Sequence, residues 1–303
     1  MGGAADETDQ SGTKEKGNDG YEIRMKPYEG FNYPYEFTDD IAGHLRNIRD
    51  MEIKDDDVFI TSYPKSGTHW IYEIVYMLLH DRSYCRQHHL LDIDNIDDIN
   101  NAPSPRIIMT HIPIDRLPWQ LSQGRAKVIY MTRNPKDVIV SYFCFVKRLA
   151  KTAFDGEFNY AFLEKFLYGK VPYDSWFRSV LSWERFPQTN PKVPFLTMNY
   201  EDMKSNLRQQ VERVSLFLGQ TIDGDTLDTI TDKCSFVQTQ KDKRENPDSR
   251  FNSTMSRDGP EIIYRKGEVG DWKNWFTVAD NEKFDQIYKE KMSQSKLSFR
   301  FSL

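Results

Sequence analysis

The sequence predicts an α/β fold in which a mostly parallel sheet is covered on both faces by helices. Two stretches read as strand, turn and helix in that order, and strand-length apolar runs alternate with helix-period segments along the chain. Size agrees, since 303 residues with 38% hydrophobic and 14% aromatic side chains suffice for a large core.

Residues 1–20 are rich in Gly, Asp, Lys and Thr and lack an apolar centre. They are expected to be a disordered tail, neither signal peptide nor folded element, with residues 21–303 forming a single domain. Gly2 invites comparison with a myristoylation signal, but Asp6 stands where Ser or Thr is required. Val58, Phe59 and Ile60 form the first strongly apolar strand, which runs into a turn-rich stretch at 62–67. Trp70, Ile71, Ile74, Val75 and Leu78 then recur at helical spacing, predicting a helix over 68–80. A short strand is expected at 106–110. The strand, turn, helix order repeats at 126–132, where Lys127 to Met131 form a buried strand, Arg133-Asn134-Pro135 a turn, and Val138, Ile139, Phe143 and Val146 the apolar stripe of a helix with Pro135 in its first turn. Further helices are predicted at 173–185, 203–218, 225–233 and 279–292, and a strand at 193–198. The polar stretch 241–260 reads as a long surface loop.

A formal net charge of -5 and a pI near 5.8 argue against a general nucleic-acid or anionic-membrane surface. Apolar runs such as 71–79 are shorter than a bilayer span and are interrupted by Glu73 and tyrosines, so no transmembrane helix is expected. Cys85, Cys144 and Cys234 are odd in number, widely spaced and contain no CxxC pair. That pattern suits a reducing, cytoplasmic compartment and disfavours a zinc site.

In parallel sheets ligands gather beyond the carboxyl ends of strands, which directs attention to the loops after Ile60 and Met131. The first reads Thr61-Ser62-Tyr63-Pro64-Lys65-Ser66-Gly67-Thr68 and opens a helix. Gly67 permits close backbone approach, the helix N-terminus supplies amides and positive dipole, Ser66 and Thr68 add hydroxyls, and Lys65 adds a full charge. On its own the loop also suits an ordinary turn and helix start. It lacks the Gly-Lys-Ser/Thr order of nucleotide triphosphatases, and no magnesium carboxylate is obvious after a strand, which disfavours a kinase. The second turn offers Arg133 and, two helical turns on, Ser141; an ion pair of Arg133 with Asp137 and a small packed serine would account for them equally. A third stretch, Tyr264 to Trp272, sets Arg265 and Lys266 beside Gly267. Three anion-suited loops in an acidic chain point to a ligand with more than one phosphate.

Taken together, Tyr63 to Thr68 with Trp70, Arg133 to Asp137 with Ser141, and Arg265-Lys266-Gly267 with Gly270-Asp271-Trp272 resemble the signature blocks of the cytosolic sulfotransferase family, in its order and spacing. Thr110-His111, Phe162 to Phe166 and Tyr200 to Met203 extend the resemblance from about residue 30 to the C-terminus. It implies a single P-loop, nucleotide-kinase-like α/β domain. It also implies sulfonate transfer from 3′-phosphoadenosine-5′-phosphosulfate (PAPS) to a hydroxyl or amine of a small acceptor, with adenosine 3′,5′-bisphosphate (PAP) as product and no metal required. By the same resemblance Lys65, Ser66, Gly67, Thr68 and His69 hold the phosphosulfate and Trp70 stacks by the adenine. Arg133, Ser141, Arg265, Lys266 and Gly267 grip the 3′-phosphate, and Tyr200, Cys234, Ser235 and Phe236 complete the adenosine site. His111 matches the catalytic base, a role imidazole suits because it titrates near neutral pH; Lys65 would stabilise charge growing on the leaving phosphate.

Two positions depart from the family pattern. Met109 replaces a lysine two residues before the histidine, which keeps open a PAPS- or PAP-binding protein with weak or lost catalysis, and Cys234 replaces a common threonine. Met109, His111 and Phe145 are expected at the acceptor, with Phe143, Tyr168 and Phe251 as further aromatic candidates for an apolar pocket suited to a phenol, alcohol, sterol or aryl amine. Lys273, Thr277, Val278 and Glu282 fit the family's dimer motif, implying a homodimer; Thr277 also reads as a helix cap.

Overall fold

The computed structural model describes residues 23–80, 83–149, 154–246 and 263–303. The expected tail at 1–20, most of the expected loop and Phe251 lie outside them. The chain opens with strands β1 (Met25–Tyr28) and β2 (Phe31–Pro34), an antiparallel hairpin whose turn residues Glu29 and Gly30 both have positive φ. Helix α1 (Ile41–Asp50) follows, its first turn capped by the Asp40 carboxylate accepting from the Gly43 amide. Next come β3 (Val58–Ser62), α2 (Thr68–Leu79), β4 (His89–Leu90), α3 (Ile96–Asn101), β5 (Ile107–Thr110), β6 (Lys127–Thr132), α4 (Pro135–Arg148), α5 (Tyr160–Leu167), α6 (Trp176–Thr189) and β7 (Phe195–Asn199). Helices α7 (Tyr200–Ser205), α8 (Leu207–Leu218), α9 (Gly224–Lys233), α10 (Phe236–Glu245) and α11 (Val278–Lys291) complete the order.

Strands β4, β5, β3, β6 and β7 lie side by side in that order, all parallel, with Val58 opposite both Ile107 and Lys127. The apolar runs at β3, β5 and β6 follow from this placement, because a central parallel strand is buried on both faces. Alternate residues feed two cores. Ile60, Met109 and Ile129 pack with Trp70, Ile74 and Val75 of α2 and with Val211 and Val214 of α8. Phe59, Ile108, Val128 and Tyr130 pack on the other face with Leu45 and Ile48 of α1 and Trp183 of α6. A third cluster joins α4, α5, α6 and α11 around Val138, Phe143, Phe162, Trp176 and Phe284. Each fully buried side chain of this size contributes about 1.5–3 kcal/mol relative to exposure.

Three expectations are corrected. The helix expected at 203–218 breaks at Asn206, whose side chain leaves the helical path to accept from the Gln209 amide and restart the chain as α8. The helix expected from Tyr173 begins at Trp176, capped by Ser175, because Tyr173 and Asp174 take left-handed backbone angles. Residues 241–245 belong to α10 and not to a loop: Lys243 is buried and its ammonium pairs with Glu73 of α2 at 2.7 Å. A polar helix whose lysine is used internally carries no apolar period to betray it.

Candidate active site

The carboxyl ends of β3 and β6 place two of the three anion-suited loops side by side. Beyond β3, Lys65 and Gly67 both adopt positive φ (69° and 108°). Gly67 is the N-cap of α2 and provides no side-chain cap, and its carbonyl accepts from the Trp70 amide at 3.0 Å, so the helix start opens directly onto the loop. A Cβ at Gly67 would stand 2.9 Å from the Tyr200 ring. Beyond β6, Arg133 donates from Nη1 to the Lys65 carbonyl at 3.3 Å and from Nη2 to the Glu268 carbonyl at 3.0 Å, while its guanidinium stacks 4.2 Å above Tyr200. One arginine therefore ties all three loops together. Its Asp137 neighbour is 3.9 Å away and mainly serves the third loop, accepting from the amides of Gly270 at 2.7 Å and Trp272 at 3.0 Å. Arg265 and Lys266 each pair with Asp271 at 2.6 Å.

Lys65, Gly67, Thr68, His69, Trp70, His111, Arg133, Ser141, Phe145, Tyr200, Phe236, Arg265, Lys266 and Gly267 line one cavity. Arg133 Nε, Arg265 Nε and the Tyr264 hydroxyl on the same cavity are buried without a hydrogen-bond partner among the described residues. Such donors suit an anion-rich ligand. Trp70 donates to the Cys234 carbonyl at 2.6 Å and meets Tyr200 and Phe236 edge-on. Ser66, Met109, Cys234 and Ser235 are not brought to the cavity wall. Ser66 is buried behind the loop, Ser235 caps α10, and the Cys234 thiol points at the Met77 sulfur in the core. Met109 is fully buried between Ile60 and Leu90 of the neighbouring strands.

His111 follows β5 and is half-buried on the cavity wall. Its Nδ1 lies 2.9 Å from the Ser62 carbonyl, an acceptor only, so Nδ1 carries the proton and Nε2 presents a lone pair. Burial lowers its pKa below the ordinary imidazole value, with Lys65 adding to that effect while Asp92 and the Ser62 hydrogen bond oppose it. Burial, followed by the Arg133 charge, also lowers Lys65 to about 7. Lys65 Nζ rests 4.3 Å from the Phe145 ring centre. Two further cavity neighbours were not expected from the sequence: Tyr173, edge-on to His111 at 5.3 Å, and Asp92 behind it. Both lie in irregular backbone, where no periodicity marks them.

A family model described as a sulfotransferase domain matches residues 55–296. The chain belongs to the sulfotransferase family. It is 37% identical to Sulfotransferase 1B1 of Canis lupus familiaris, over 88% of this chain and 93% of that protein. It is 38% identical to Sulfotransferase 1E1 of Bos taurus, over 84% and 90% respectively. The crystal structure of mouse sulfotransferase SULT7A1 complexed with PAP superposes with a TM-score of 0.77 at 31% identity, covering 89% of this chain and 95% of that one. In this sulfotransferase the cavity sits beyond the carboxyl ends of β3 and β6. Among the described residues no three His, Cys, Asp or Glu side chains converge as a metal site, and no helix is long and apolar enough to cross a membrane.

Proposed function

We propose that this sulfotransferase moves the sulfonate of PAPS to a hydroxyl of a small, largely apolar acceptor, with His111 as the base. The observation that carries the reading is that the Nε2 lone pair of His111 and the Lys65 ammonium line the same cavity as the uncapped start of α2. The residues present fit the donor. Arg133, Ser141, Arg265, Lys266 and Gly267 would hold a 3′-phosphate, Lys65, Gly67, Thr68 and His69 the phosphosulfate, and Trp70, Tyr200 and Phe236 the adenine side. The PAP in the mouse relative's structure agrees with that donor. As the acceptor oxygen forms its bond to sulfur, its proton passes to Nε2 and the sulfur–oxygen bond to the bisphosphate breaks. Lys65 and the α2 amides oppose the charge growing on that leaving oxygen. Pro34, Phe145, Leu149 and Tyr173 supply apolar walls in the cavity that His111 lines, suited to a phenol, alcohol or sterol.

Residues 21–303 act as one unit in this reading, in the cytoplasm, where the three free cysteines remain reduced. Lys273, Thr277, Val278 and Glu282 are all exposed and form the homodimer contact. Purified protein incubated with PAPS and a panel of phenols, alcohols and sterols is expected to release PAP with at least one acceptor. His111→Ala is expected to lower kcat by about 10²–10⁴-fold while PAP still binds. PAP binding without turnover on any acceptor would replace this reading with a binding protein.

A further inference from the structure

We infer that Asp92 is a positioning residue for the base: its buried carboxylate fixes the backbone that carries His111 and sets the imidazole's readiness to take a proton. The inference rests on His111 being the base. Asp92 has no exposed surface and follows β4, the edge strand that pairs with β5. Its Oδ1 accepts from the Thr110 hydroxyl at 2.7 Å, and both its oxygens lie 3.2 Å from the His111 amide. The Thr110 hydroxyl in turn accepts from the Ile112 amide at 3.0 Å. Residues 110–112 are thus held from below by one carboxylate, while the His111 ring is held from above by the Ser62 carbonyl. A side chain tethered at both its backbone and its Nδ1 has little freedom left, and Nε2 is presented in one direction.

The Tyr173 hydroxyl faces the same carboxylate; burial first, then Asp92, holds that phenol far above its ordinary pKa, so it stays protonated. Tyr173 adopts a left-handed backbone angle of 67° and donates its amide to the Asn32 carbonyl at 2.7 Å. A tyrosine at such an angle is strained and persists where its surroundings dictate it. Asp92 therefore organises two cavity residues that come from distant parts of the chain.

Several charged groups face the site. Lys65 from the β3 loop lowers the basicity of His111 and Asp92 raises it. Glu36 lines the cavity from the N-terminal hairpin side. Arg116, paired with Glu29 at 2.6 Å, and Asp174, paired with Arg178 at 3.1 Å, do not line the cavity. Asp92 is the carboxylate that touches the His111 main chain.

Asp92→Asn preserves size and the hydrogen-bond acceptor and removes the charge. The expected result is a kcat lowered by about tenfold or more, an unchanged Kd for PAP, and an acid limb of the kcat/KM profile displaced to lower pH. The direction follows because losing a negative neighbour disfavours the imidazolium. An acid limb that stays in place would leave Asp92 as scaffold and overturn the inference. Thr110→Val keeps the carboxylate but deletes one donor; kcat should fall with the limb unmoved, and wild-type kcat in this variant also overturns it, even where Asp92→Asn fails to fold. Full activity in His111→Ala would remove both this inference and the base assignment. An inactive His111→Ala beside an unaltered Asp92→Asn would remove this one alone.

Discussion

Lys65 occupies a left-handed turn position, packs on Phe145 and is held by burial and Arg133 near a pKa of about 7. Its cation is present below that pH and lost above it. Donor KM is therefore expected to rise as pH increases through about 7, and Lys65→Arg, which stays charged, should flatten that rise. A donor KM independent of pH from 6 to 9 in the wild-type enzyme would show that Lys65 is not an electrostatic contact of the donor. Gly267 makes a second residue-scale case. At φ of 68° a Cβ would fall 2.5 Å from the Phe236 ring. Gly267→Ala then forces either backbone strain of about 1–3 kcal/mol or displacement of Phe236 from the cavity wall. Donor Kd is expected to weaken by about tenfold or more with the fold intact, as titration with PAP would measure.

At the scale of elements, α10 is latched to α2 by buried charge. Glu73 accepts from His88 at 2.9 Å, from Lys243 at 2.7 Å and from the Cys85 amide at 3.0 Å. Burial alone would raise its pKa, but His88 and Lys243 bring it below the usual carboxylate value. A depressed folded pKa contributes stability that is present above the unfolded pKa and lost as pH falls through the folded one. Lys243→Met leaves the buried Glu73 without its lysine partner and is expected to reduce unfolding free energy by about 3 kcal/mol. Chemical denaturation at neutral pH measures this, and the loss should shrink in the Glu73→Gln background. Since Phe236 begins α10 and lines the cavity, the same latch helps to hold that part of the cavity wall. Elsewhere the helices are set by local caps, as where Thr277 and Asp280 bond reciprocally to start α11.

For the whole molecule, the exposed start of α11 bears on assembly. Val278 is 77% exposed, an apolar side chain among the exposed polar residues Lys273, Thr277 and Glu282. Val278→Asp is expected to convert a dimer into a monomer in light scattering, with kcat largely retained because the cavity lies elsewhere. A wild-type protein that sedimented as a monomer at micromolar concentration would rule out this contact.

The two strand, loop, helix units were legible in the amino-acid order because buried parallel strands must be continuously apolar and because glycine, proline and hydroxyl residues punctuate the turns that follow. Lys65, Gly67 and Arg133 were legible for the same reason, since anion chemistry selects recognisable residue types at strand ends, and Arg265 because it stands with Lys266 beside a glycine. The N-terminal hairpin, short β4 and polar α10 were not, for each is too short or too polar to carry a period. Only the tertiary structure decided that Met109 lies in the core, because strand pairing on both sides of β5 selects which alternate residues are covered. It alone brought Asp92 and Tyr173 to His111. Those contacts join segments 19 to 81 residues apart in sequence, and nothing local to either segment encodes the pairing.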